Sequence, residues 1–333
     1  MMRPFDTPAP DLDGKTILVT GGTGSYGEKF AETVLQRYKP AKLIIYSRDE
    51  QKQYEMEQRL PIAQHECLRY FIGDVRDIAR LKMAMRGVDY VVHAAALKIV
   101  PTAEYNPFEC INTNVIGAQN VVTAAIEANV KRVVNVSTDK AVNPINLYGA
   151  SKLAAEKIMT AANSLSGKGG TRFATVRYGN VIGSRGSVVP LFRRLLDEGV
   201  EELPITDERM TRFWITLQQG VNFVLSCLSQ MQGGEVFVPK IPSMNIMDLV
   251  RAMSPEVKTR TIGVRPGEKL HELLLIEEES RHARELDDRY VVLPEHISYD
   301  ASAFGGETPS AGFVYASDNN VEWLDQEALR GLL

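Results

Sequence analysis

The run from Lys15 to Gly27, KTILVTGGTGSYG, decides how the rest of the chain reads. Lys15 to Thr20 is a short β-branched, apolar stretch that passes directly into Thr20-Gly21-Gly22-Thr23-Gly24-Ser25-Tyr26-Gly27, and apolar helical spacing begins just behind it at Phe30. Glycines in such a turn let backbone N–H groups and the positive end of the next helix approach a pyrophosphate without Cβ atoms in the way. Gly21, Gly24 and Gly27, with Thr23, Ser25 and Tyr26 between them, fit a dinucleotide fingerprint of the short-chain type. A tight turn without a ligand would also use glycine; the strand–turn–helix context favours the cofactor reading.

The pattern then repeats outward. Leu43–Ser47 (LIIYS), Val88–Ala96 (VDYVVHAAA), Arg132–Ser137 (RVVNVS) and Arg172–Gly179 (RFATVRYG) are further strand-like runs. Phe30–Tyr38, Ile78–Met85, Asn114–Ala128 and Ser151–Leu165 carry the 3.6-residue apolar spacing of helices that cover a sheet. Apolar strands alternating with amphipathic helices predict an α/β fold, a Rossmann-like doubly wound parallel sheet buried on both faces. The apolar helix Asn114–Ala128 serves either as core or as a subunit contact, with core the default. Beyond residue 180 the rhythm changes: GSRGSVVP, a basic helix (Pro190–Glu198), the polar loop TDERMTRFW, a helix at Leu217–Met231, a strand at Glu235–Lys240 and the segment GVRPGEKLHE. The expected division is an NADP-binding domain at 12–180, completed by about 215–242. A smaller, mixed substrate-binding region covers 181–214 and 243–333, and the tail after about Asp300 carries no motif.

Composition narrows the function. With 38 Lys+Arg against 42 Asp+Glu, the net charge of −4 removes the global attraction on which nonspecific nucleic-acid binding relies, so an anionic ligand must be held locally. Cys67, Cys110 and Cys227 are an odd set without CxxC spacing, which argues against a disulfide framework or a zinc site and for small buried apolar residues. The N-terminal stretch lacks the apolar core of a secretion signal, and no window approaches the roughly 20 apolar residues of a membrane helix, so no membrane insertion and a cytoplasmic location are expected. His93 and His271 lack metal-ligand spacing and read as structural.

The second strand ends in Ser47-Arg48-Asp49, with Lys52 beyond. An NAD-preferring site places an acid there; a hydroxyl, a guanidinium and an ammonium suit a 2′-phosphate and favour NADP. Asp49 remains a ribose candidate, and a solvated basic loop is the plain alternative. Asp74-Val75, after the third strand, either contacts adenine or, through Asp74, caps the next turn. Tyr148 and Lys152 lie at i and i+4, so both side chains face one space once Ser151 and Lys152 open a helix. A neighbouring ammonium and an oxidised nicotinamide would favour the phenolate, a usable base for a sugar hydroxyl. Thr138 completes this group.

Thr20–Gly27, Asp74-Val75, His93–Ala96, Asn114 and Tyr148–Lys152 resemble the extended short-chain dehydrogenases/reductases that act on nucleotide sugars. Ser47–Glu50, Ala94–Lys98, Ser137–Ala141, Asn143–Gly149, Arg177–Val181, Arg209–Trp214 and Arg265–Glu272 further resemble their inverting UDP-N-acetylglucosamine 4,6-dehydratase branch, of the pseudaminic acid type. The resemblance spans about residues 16 to 275. It implies NADP held by Gly21 to Gly27, Ser47, Arg48, Asp49, Lys52, Asp74, Val75, Ala94, Ala95, Lys98, Thr113, Tyr148 and Lys152. It also implies UDP-N-acetylglucosamine held by Lys98, Asp139, Lys140, Tyr148, Asn180, Val181, Arg265 and Glu268, and a homo-oligomer. Asp139-Lys140 stands where many sugar dehydratases have Asp-Glu. A lysine poised near neutral pH could exchange the C5 proton on different faces, with Lys140 as C5 base, Asp139 as acid for the departing hydroxyl, Tyr148 as C4 base, Thr138 orienting and Lys152 as electrostatic partner of Tyr148. Domain-interface ion pairing is the plain alternative for Arg265, Arg209 and Arg212. The alternatives in function are a retaining 4,6-dehydratase, a 4-epimerase, or a noncatalytic NADP-sensing scaffold.

Overall fold

The computed structural model describes residues 2–295 and 304–333, so Asp300, where the motif-free tail was placed, lies outside the described residues. Six parallel strands, β1 (Thr16–Thr20), β2 (Lys42–Ser47), β3 (Leu68–Ile72), β4 (Tyr90–His93), β5 (Arg132–Val136) and β6 (Arg172–Val176), stand in the order 3-2-1-4-5-6. Val236–Pro239 extends the sheet parallel to β6, and Arg289–Val292 then Ala283–Glu285 close that edge antiparallel. The order reverses between β1 and β4, so the crevice that takes a ligand opens at their carboxyl ends.

The pleat sorts the apolar residues. Ile17 and Val19 of β1 join Phe30, Val34, Val134 and Phe223 on one face, while Leu18 joins Val91, Val121, Val133 and Met159 on the other. A separate cluster, including Phe192, Leu203, Trp214, Leu249 and Leu329, forms the second region. Ala118, Val121, Val122 and Ala125 on the helix Gly117–Glu127 are buried, which answers the core-or-contact question for that segment in favour of core.

Several boundaries differ from expectation for local reasons. The helix expected from Asn114 begins as a π-helical turn, Asn112–Ile116, before Gly117. The helix bearing Tyr148 starts at Leu147 rather than Ser151, because the Asn146 side chain accepts from Gly149 N–H at 2.7 Å and caps it earlier. Residues 283–292, expected with the substrate region, instead pair into the large sheet. Cys110 and Cys227 are buried as expected, but Cys67, in the turn before β3, is only half-buried. The proline-rich leader lies along the helix Leu217–Gln230, whose Gln219, Asn222 and Ser226 side chains donate to the carbonyls of Arg3, Pro4 and Thr7 at 2.7, 2.8 and 3.0 Å. Among the described residues no helix is long and apolar enough to cross a membrane.

Candidate active site

The glycine turn is shaped by what presses on it. Gly21 has φ +66°, and a Cβ there would stand 2.9 Å from the Ala95 backbone; one on Gly27 would stand 2.5 Å from Gly22 Cα. Gly24 precedes the helix Ser25–Arg37 without any side-chain cap, whereas Asp49, Asp77 and Asn146 cap the helices that follow them. The uncapped helix start leaves first-turn N–H groups for an anion, the arrangement a dinucleotide pyrophosphate requires. Arg185, in a segment to which the sequence assigned no role, reaches this turn and donates to Thr23 O at 3.4 Å. Its signal was a lone cation between glycines.

At the β2 end, Ser47 is buried and its hydroxyl accepts from Gln53 at 3.0 Å. Asp49 is accounted for locally: it caps the following helix through Lys52 N–H at 3.0 Å and pairs with Lys52 Nζ at 3.1 Å. The Arg48 guanidinium stays more exposed, 3.9 Å from Asp74. Asp74 turns its carboxylate back on Arg76 N–H and side chain, the capping alternative. Val75 is buried against Gly117, where an added Cβ would meet its Cγ2 at 2.7 Å. Asn114 accepts from Leu97 N–H at 2.8 Å and donates to Ser151 at 2.9 Å, tying the Ala94–Lys98 loop to the Tyr148 helix. Partial desolvation, then the like charge of Lys140, lowers the Lys98 ammonium, although its side chain still reaches solvent.

The sequence placed Thr138, Asp139, Lys140 and Tyr148 together, and the structure brings them together just past β5. Thr138 caps a single 3₁₀ turn, Asp139–Ala141; its hydroxyl donates to Asp139 Oδ1 at 2.9 Å. Lys140 Nζ donates to the same oxygen at 2.9 Å and lies 3.4 Å from Glu272 Oε1. Gly149 lets the Tyr148 helix abut this turn, since a Cβ there would stand 2.1 Å from Lys140 O. Burial raises the Tyr148 phenol to about 12, opposed by the Lys140 charge and a hydrogen bond with Thr138. Lys152 is 4% exposed and donates to Val136 O at 2.6 Å; burial drops its ammonium to about 8, with Glu156 opposing.

Two expectations are corrected here. Although burial alone would lower it, Lys140 between Asp139 and Glu272 is held well above the ordinary lysine range, not poised near neutrality. The cation that acts on Tyr148 is Lys140; Lys152 instead serves a backbone carbonyl.

The second region closes the crevice. Asn180 and Val181 pair with Trp214 and Ile215 in a small sheet. Arg265 is half-exposed, 3.9 Å from Glu268. Arg209 pairs with Asp207 in its own exposed turn, while Arg212 braces the Lys269 and Leu270 carbonyls at 3.1 and 2.9 Å, so only the latter does interface work. His93 and His271 bond Thr20 and Thr211 at 2.7 and 2.8 Å. Deeper, Arg177 forks between Glu156, on the Tyr148 helix, and Glu279, a buried triad the sequence did not reveal. Buried polar atoms almost always find partners. Among the described residues, Tyr26, Thr113, Asp139, Asn180 and Glu268, all assigned to the site from sequence, each bury a side-chain oxygen without one, and so does Glu272.

A doubly wound sheet with an uncapped glycine turn and a buried Tyr148/Lys152 pair defines a Rossmann-fold enzyme of the short-chain dehydrogenase/reductase type. Residues 17–294 match the family described as polysaccharide biosynthesis protein, and the chain belongs to it. It is 52% identical over 97% of its length, and 98% of the relative's, to the UDP-N-acetylglucosamine 4,6-dehydratase (inverting) of Campylobacter jejuni. It is 41% identical over 96% of its length, and 95% of the relative's, to the UDP-glucose 4-epimerase of Rickettsia canadensis. The solved structure of Pen from Bacillus thuringiensis superposes with a TM-score of 0.88 at 38% identity, covering 97% of this chain and 99% of that one.

Proposed function

We propose that the protein is an NADP-dependent UDP-N-acetylglucosamine 4,6-dehydratase that inverts C5, giving UDP-2-acetamido-2,6-dideoxy-β-L-arabino-hex-4-ulose, a product of the pseudaminic acid type. The carrying observation is the Asp139–Lys140 pair, 2.9 Å apart, beside Tyr148. Ser47 and the lightly engaged Arg48 support the 2′-phosphate preference, since Asp49 is spent on a cap.

The bound nicotinamide supplies a hydride acceptor for C4 and later the hydride donor for C6. Tyr148, as phenolate, takes the O4 proton; the positive charge of Lys140 favours that anion. One proton passing from Lys140 Nζ to Asp139 Oδ1 makes a base and an acid together with no change in net charge. The neutral amine removes the C5 proton, which the C4 ketone has acidified. Asp139 protonates the C6 hydroxyl as its C–O bond breaks, and water leaves. After hydride return to C6, the restored Lys140 ammonium delivers a proton to the opposite face of C5. The O4 proton on Tyr148 then returns through Thr138 and Asp139 to Lys140, closing the cycle.

NMR of the product formed from UDP-N-acetylglucosamine in deuterated water tests this reading: a C6 methyl, deuterium at C5 and inverted C5 couplings are expected, and an unchanged hydroxymethyl group would refute it. The 4-epimerase reading, favoured by the Rickettsia relative, predicts that hydroxymethyl with an altered C4 and no C5 deuterium.

A further inference from the structure

Glu272 comes from the second region, 132 residues beyond Lys140 in sequence, and arrives already fixed. Its N–H donates to Ser317 Oγ at 2.9 Å and its carbonyl accepts from Ser317 N–H at 2.8 Å, so the backbone is clamped from both sides. The side chain is 4% exposed; Oε1 lies 3.4 Å from Lys140 Nζ and 4.0 Å from Arg212 Nε, and Oε2 is buried without a partner. The reaction above uses Asp139 and Lys140 and gives this carboxylate nothing to do. A buried carboxylate is costly unless a charge and hydrogen bonds compensate it. Here the compensation is shared with the one lysine that must move a proton.

We propose that Glu272 is a positioning residue for the dehydration half of the reaction. It holds the Lys140 amine jointly with Asp139, from a different region of the chain. The proposal rests on the dehydratase reading, because only a C5 proton transfer makes the placement of Lys140 matter. Without Glu272, Lys140 follows Asp139 alone and swings on a flexible four-carbon stem. Oxidation at C4 uses Lys140 only as a charge beside Tyr148 and slows less than the steps at C5 and C6, which need its amine in place.

The groups facing Lys140 are Asp139, Glu272, Arg212, Tyr148, Lys98 and Lys269. Of these, Asp139 and Glu272 are the anions that hold its proton. Glu272→Gln removes one anion at constant size.

The test mixes cofactor-loaded Glu272→Gln with UDP-N-acetylglucosamine in a stopped-flow spectrometer and follows reduced nicotinamide absorbance, with product and C5 deuterium read by NMR. Expected are a reduced-cofactor signal that accumulates and decays at least 10-fold more slowly than in wild type, a matching fall in kcat, KM within 3-fold, and a melting temperature within a few degrees. Glu272→Asp, which keeps the charge, recovers part of the decay rate. Lysine-selective ¹³C NMR of the ligand-free protein shows the Lys140 titration moving down in Glu272→Gln. Wild-type turnover, equal slowing of oxidation and decay, or an unmoved Lys140 titration overturns the proposal; if Glu272→Gln fails to fold, the Glu272→Asp decay rate carries the same decision. A wild-type enzyme that makes no deoxy product sinks the dehydratase reading instead.

Discussion

The two walls of the crevice treat a lysine in opposite ways. On the cofactor wall, Lys152 is desolvated by the helix and sheet that enclose it, the nearby Glu156 is already forked by Arg177, and the ammonium falls to about 8. On the substrate wall, Lys140 lies between Asp139 and Glu272 and is driven upward. Burial without a free counter-charge makes a cation that releases its proton readily; two carboxylates at 2.9 and 3.4 Å make one that holds it. The crevice thus separates the proton affinities of its two lysines by partner, not by residue type.

The contrast breaks most sharply at Lys140. Lys140→Ala is expected to lower dehydration by about 10³-fold, within the range that positioned acid–base groups contribute. Reduced nicotinamide should still appear on mixing with substrate, more slowly than in wild type because Tyr148 loses its stabilising charge; full turnover would remove Lys140 from the mechanism. Lys152→Met is expected not to lower the melting temperature, since it removes a desolvated charge. The sign with pH follows: the folded-state value of about 8 lies below the ordinary 10.5, so between them the unfolded chain binds more protons and this group makes wild-type stability rise with pH. Denaturant titrations at pH 7.5 and 9.5 should show that rise diminished in Lys152→Met; an equal rise would place Lys152 outside the argument.

Arg48→Ala sharpens the cofactor wall alone. It should weaken NADP by about 10-fold and leave NAD within 2-fold, by calorimetry, as expected for one lost charge-assisted phosphate contact. Asn146→Ala has the smallest effect, about 1 kcal/mol of stability by urea melting, because it removes the cap of the helix that carries both Tyr148 and Lys152.

What could be read from the chain was what its chemistry writes locally. The glycine turn, the i, i+4 Tyr148/Lys152 pair and Asp139-Lys140 each lie within a few residues, so spacing alone exposes them. β3, expected before Asp74-Val75, could not be bounded from its own pattern because it is an edge strand with Arg69 exposed and Tyr70 half-buried, and the helix Glu50–Arg59 escaped because its charged sequence has almost no apolar stripe. Glu272 and the Arg177 triad were hidden for another reason: their partners are 132 and up to 102 residues away, and no local pattern announces a buried ion pair. The Lys140 error has the same source, since its second anion lies on a segment that only the fold brings close.

The Arg177 fork also bears on where the two regions can part. It joins the catalytic helix to the short helix Glu277–Ser280, with Arg177 and Glu156 at 1% and 2% side-chain exposure, and parting such a pair costs about 3–5 kcal/mol. The crevice is therefore riveted at its root. Away from that root, Gly183 and Gly186, both with positive φ, flank Arg185 where it meets the glycine turn, so the backbone is freer there than at the Arg177 fork.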